Sequence, residues 1–306
     1  MANEFVSNNL LNRVHFAGAL AELSELTKGV TSDGIPTISF KGVIQCGEDA
    51  TYNRNFKVYA KAKKADGGDN KIYQNMLAWY KGAVPMTKDK VKCSMVDMSG
   101  SVDAFDYVGK DGTMHESLTY NMRFINEFKD YACYMDVDGY ITSIVDEERG
   151  QGDDKVVTGR KVMSLLCMDS FRNVLQLKKI FIPAEFVDQL EDNGYEKGRT
   201  VRTKLAYQPN TKSGAPKKRG FGNQPVVGGA TYLELVLTGG DAAFDEDSKD
   251  SISSATARTM MTERTNRLKE IEAKGYQGGS SVPSAGVKGT GSFKPVEPLT
   301  DDDIPY

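Results

Sequence analysis

The sequence predicts a mainly β chain with some α-helix. Two observations carry this reading. Runs such as residues 37–45 and 55–63 alternate apolar and polar side chains, the period of a half-buried strand. Glycine-containing turn signals such as Gly109–Gly112 separate these runs.

The elements follow in order. Residues 1–34 read as a peripheral helical segment: Leu10, Val14, Ala17 and Ala21 form one row at three-or-four spacing, and Phe16, Leu20, Leu23 and Leu26 form another. Residues 35–129 read as a first β domain, with strands over 37–45 and 55–63, a helix over 71–81, and strands over 91–97, 101–108 and 117–128. Residues 130–240 read as a second β domain, with strands over 134–145, 158–168 and 173–182. A short helix follows, opened by Pro183 and ended by Gly194, and then strands over 199–208 and 230–238. The order strand, strand, strand, helix, strand, strand is that of the five-stranded OB-fold barrel. The first β domain is compatible with the same plan, so the sequence predicts two such barrels. Residues 241–275 are acidic and then helical. Residues 276–306 hold Gly, Ser, Pro and Lys with little to bury, and read as a disordered linker ending in an acidic tip.

Composition narrows the function. No apolar run approaches the ~18 residues of a membrane span, and no basic-then-apolar leader opens the chain, so a cytoplasmic protein is expected. The four cysteines form no Cys-x-x-Cys pair and only two histidines are present. Neither a metal nor a cofactor is expected, and the thiols read as reduced and mostly buried. The net charge of −3 is unevenly spread. Residues 241–306 hold 12 acidic and 8 basic residues, whereas residues 1–240 hold 30 acidic and 31 basic. A near-neutral body binds phosphate only where its cations gather on one surface.

Three features gather charge. On the strand 55–63, Phe56, Val58 and Ala60 share one face, while Lys57, Tyr59, Lys61 and Lys63 share the other with no acid among them. Cations along a phosphate track and rings on which bases stack are what a single strand needs. The bland reading is a solvated lysine face. The loop 208–229 carries Lys212, Lys217, Lys218, Arg219 and Phe221 among glycines and has no acid. In an OB barrel the loop joining strands four and five grips oligonucleotides. Arg202 and Lys204 share a face of the fourth strand, and Arg160, Arg172 and Lys178 extend the track. The third feature is the tip Asp301-Asp302-Asp303-Ile304-Pro305-Tyr306, two apolar side chains behind an acidic run on a long tether, which suits a partner's pocket rimmed with basic residues.

That tip resembles the C-terminal tip of the bacterial single-stranded DNA-binding proteins, Asp-Asp-Asp-Ile-Pro-Phe, in five of six positions, with Tyr306 in place of Phe. The resemblance covers those six residues. It implies sequence-independent binding of single-stranded DNA in replication, recombination and repair, with the tip recruiting enzymes of those processes. The body departs from the bacterial sequence, which points to a viral or phage protein with a host-like tip. The tetramer of the bacterial family does not carry over.

No P-loop, Gly-x-Ser-x-Gly or zinc-ligand spacing is present, so no enzyme is expected. The carboxylates Asp136, Asp138, Asp146, Glu147 and Glu148 are the material for a nuclease metal site, a weak alternative. An RNA-binding OB protein and a structural or assembly protein also remain open.

Overall fold

The computed structural model describes residues 6–48, 50–150, 155–213 and 229–276. Eleven strands among these residues join in one sheet. They are β1 (Asn12–Leu23), β2 (Thr27–Val30), β3 (Pro36–Gln45), β4 (Asn53–Lys61), β5 (Met95–Val108), β6 (Met114–Asn126), β7 (Ala132–Arg149), β8 (Val156–Met168), β9 (Val174–Ile182), β10 (Thr200–Ser213) and β11 (Gly229–Gly240). Helix α1 (Lys71–Gly82) lies between β4 and β5. The short helices α2 (Ala184–Val187) and α3 (Gln189–Asp192) lie between β9 and β10, and α4 (Ser254–Lys274) follows β11.

The pairings close twice. In ring 1, β1 pairs with β3, β3 with β4, β4 with β6, β6 with β5, and β5 with β1. In ring 2, β7 pairs with β8, β8 with β9, β9 with β11, β11 with β10, and β10 with β7. Each ring has one parallel contact, β4–β6 in the first and β9–β11 in the second. An antiparallel ladder between β1 and β7 joins the rings. One continuous apolar core fills both, from Phe16, Phe40 and Val58 to Leu165, Val201 and Leu235.

The helix expected over residues 1–34 is overturned: from Asn12 this segment is strand β1, followed by strand β2. Val14, Phe16 and Leu20 face the core, and Ala17 and Ala19 are buried on the opposite side. Small apolar residues on both faces imitate helical spacing. The strand is buried because both its edges are used: β5 takes one, while β7 and then β3 share the other end to end. Gly18 stands at that change of partner, where a Cβ would overlap the Gln45 carbonyl oxygen. The two strands expected over 91–108 are one, β5.

Candidate nucleic-acid interface

On β4 the alternation holds. Phe56, Val58 and Ala60 are buried, and Lys57, Tyr59 and Lys61 turn outward. The β3–β4 register adds Lys41 directly opposite Lys57, with Ser39 opposite Tyr59. No carboxylate pairs with Lys41, Lys57 or Lys61 among the described residues. Burial and the facing Lys41 ammonium push the Lys57 amine down to about 8, against the opposing pull of Asp103. Burial also raises the Tyr59 hydroxyl. Lys63 lies past the end of β4, where its ammonium meets the Asp69 carboxylate at 2.6 Å.

The ring 2 cations are distributed differently. Arg160 donates to Glu234 at 2.8 Å and lies 4.5 Å over the Phe181 ring. Arg202 forms a bidentate pair with buried Asp138, both bonds 2.9 Å. Lys178 meets Glu116 of ring 1 at 2.6 Å, and Arg172 donates to the carbonyls of Val6 and Ser7. These four hold protein partners, three of them carboxylates. Lys204 is exposed on β10 on the same side as Arg202, across the ladder from Asp136. Lys212 lies in β10, where the backbone alone is described. Lys217, Lys218, Arg219, Phe221 and the tip Asp301–Tyr306 lie outside the described residues.

Four of the five carboxylates that could make a nuclease site are taken up by cations: Asp138 by Arg202, Asp146 by Lys161, Glu147 by Arg149 and Arg160, and Glu148 by Lys155, whereas Asp136 stands in register with Arg13 and Lys204. No group of three potential metal ligands occurs among the described residues.

A second sector was not foreseen. The outer face of β6–β5–β1–β7–β10 runs across both rings. On it the ladders align Phe124 with Ser99, Ser99 with His15, His15 with Tyr134, and Tyr134 with Ala206. Phe124 is 54% exposed and Tyr134 38%. The Tyr134 hydroxyl lies 2.8 Å from His15 Nδ1, and the two ring centroids are 4.9 Å apart. His15 Nε2 lies 3.0 Å from an Asp97 carboxylate oxygen. Burial, and then the Asp136 charge, raise the Tyr134 hydroxyl above the usual tyrosine range. Exposed Arg13 and Lys204 flank Asp136 in cross-strand register. Two features hid this sector: the helical reading of β1, and a bulge that sets Ser99–Gly100 against Met122–Phe124. The extra residue turns Phe124 outward although Tyr120 and Met122 face inward. The signal available in the sequence was Arg13-Val14-His15-Phe16, which alternates polar and apolar.

The solved structure of the wild-type single-stranded DNA-binding protein from Thermus aquaticus is similar to this chain at 10% identity and a TM-score of 0.44. The match covers 78% of this chain and 96% of that one. A deletion-and-substitution mutant of the same protein matches at 12% identity and a TM-score of 0.42, covering 77% and 96%. No curated protein sequence matches. The YorF family profile matches residues 10–274, nearly all of the described length, and the chain belongs to the YorF family.

Proposed function

We propose that this protein binds single-stranded DNA without sequence preference, on two OB-type barrels, and performs no catalysis. The order of pairings in each ring, with helix following the third strand, supports the barrel assignment. In such barrels the face of the second and third strands binds oligonucleotides. In ring 1 these are β3 and β4. The observation that carries the proposal lies on them: Lys41 and Lys57 oppose each other with no carboxylate between them, beside Tyr59 and Lys61. A phosphate seated there replaces repulsion between two ammonium groups with attraction to both. The basic stretch from Lys212, which stands in β10 and not in the loop expected over 208–229, to Phe221 joins the reading as a second grip, and the acidic tip joins it as a recruiting peptide for replication proteins.

The test is a fluorescence anisotropy titration of oligo(dT), a matched RNA and a duplex, each at two salt concentrations. Wild-type protein is expected to prefer the DNA single strand. The triple variant Lys41→Ala, Lys57→Ala, Lys61→Ala is expected to bind more weakly and to lose about three counterions' worth of salt dependence. Equal affinity for the duplex, or an unchanged salt slope in the variant, would refute the assignment. A preference for RNA would move the reading to that sugar.

A further inference from the structure

We infer that the face spanning β6, β5, β1, β7 and β10 is a base-stacking platform that carries a single strand from one ring to the other. The inference rests on the single-strand-binding reading above and adds a second contact sector to it. On β4, Lys57 lies two ladders from β1 through β3 and pairs with Asn121 of β6, so its face and this one are neighbouring sectors of ring 1 that meet at β6.

Four observations converge on the platform. Two large aromatic side chains, Phe124 and Tyr134, stand exposed in one cross-strand row, although burying each in a core would have been favourable. Between Phe124 and the His15–Tyr134 pair lies Ser99, only 5% exposed, so the two exposed rings flank a short, covered stretch of sheet. With strands ~4.8 Å apart, Phe124 and His15 stand roughly 10 Å from each other at the backbone, the spacing of two separate stacking positions. The row crosses the β1–β7 ladder, the sheet connection between the rings. Arg13 and Lys204 border it, exposed and without a carboxylate within ion-pair distance among the described residues.

The occupant fits one chemistry. A protein interface would surround the rings with aliphatic residues and exclude water from its centre. Here the neighbours are a serine, a histidine, the cations Arg13 and Lys204 and the carboxylates Asp97 and Asp136, polar surroundings that suit a ring offered to a nucleobase. Tyr134 is also held at a fixed tilt by its hydrogen bond to His15, so little side-chain freedom is lost when a base stacks.

The test uses the full chain and oligo(dT) substituted with a photoreactive halogenated uracil. Crosslinked peptides are mapped by mass spectrometry, and the variants Phe124→Ala and Tyr134→Ala are titrated at two salt concentrations. Expected are adducts on Phe124 or Tyr134, an affinity loss of roughly ten- to hundredfold for each variant, and a salt slope equal to wild type. The variants Phe124→Tyr and Tyr134→Phe should restore most of the affinity. Adducts confined to β4, with both alanine variants binding like wild type, overturn the platform and leave single-strand binding intact. No binding by wild type at low salt overturns both. If sedimentation shows a dimer that the alanine variants dissolve, and no adduct forms on the face, the occupant is a second copy and the inference fails.

Discussion

Two arginines, one buried and one half-exposed, show what single residues decide. Arg54 is 8% exposed and has no carboxylate partner among the described residues; it lies 4.2 Å over the Tyr207 ring, whose hydroxyl bonds that of Tyr120. The thiols of Cys46 and Cys133 complete its surroundings. The hydrogen bond from Cys46 pulls the Cys133 thiol below the usual range; burial resists this and Arg54 adds to it. Cys46 is raised by burial first and by Cys133 second, and burial, with the Asp138 charge adding to it, takes Cys167 well above the usual range. Timed iodoacetamide labelling of native protein near pH 8 should therefore modify Cys133 before Cys46 and Cys167, and Arg54→Met should narrow that lead. Simultaneous labelling of the three would contradict this account of the cluster. Arg202 makes the opposite case, because its partner Asp138 has a fully buried side chain. Arg202→Ala leaves that carboxylate with the Leu11 N–H at 2.9 Å and should cost about 3–5 kcal/mol in urea denaturation. Asp138→Ala should cost less, since the side chain of Arg202 is 34% exposed and can turn to water. A residue read from the sequence as a DNA contact is thus expected to report mainly on stability.

At the scale of elements, α4 ties the rings together. Its Met260 and Ala257 are buried with Leu166, Met168 and Val174 of ring 2. Its buried Arg264 pairs with Asp106 and Glu116 of ring 1, and Glu116 also accepts from Lys178 of β9. Burial pushes the Glu116 carboxyl up, but Lys178 and Arg264 outweigh it and hold it below the ordinary glutamate range. A folded-state value below the unfolded one stabilises above the unfolded pKa and is lost as pH falls through the folded one. Cleavage of the segment before α4 by an acid-active protease should therefore accelerate below the ordinary glutamate range, and Glu116→Gln should flatten that dependence. The helix itself was legible in residues 251–274, because its end signals are local: Ser253 caps its first turn, and Gly275 ends it at φ 62°. Its docking was not legible, because Asp106 and Glu116 are more than a hundred residues away from Arg264. Strand β1 failed for a related reason. Its burial on two faces comes from β3, β5 and β7, and no local period records three distant partners.

For the whole molecule, ring 2 was readable as strand, strand, strand, helix, strand, strand because its members are consecutive in the chain. Ring 1 is half readable, since the apolar spacing of its first strand matches that of a helix. The site divides the same way. The lysine face of β4 follows from alternation within nine residues, whereas the Phe124–Tyr134 row exists only once four strands are paired and one bulge is in place. This bears on how the chain can be cut. A fragment of residues 35–129, the first β domain as the sequence outlines it, contains β3 to β6 but lacks β1. Ring 1 would then stand open between β3 and β5, and would lose Val14, Phe16 and Leu20, all fully buried. At ~1.5–3 kcal/mol for each large apolar side chain, the loss is comparable with the whole stability of a small domain. Circular dichroism of fragment 35–129 should show an unfolded chain, whereas fragment 6–129, with β1 restored, should unfold cooperatively in urea. Cooperative unfolding of the shorter fragment would mean that β1 serves the link to ring 2 and is dispensable for closing ring 1.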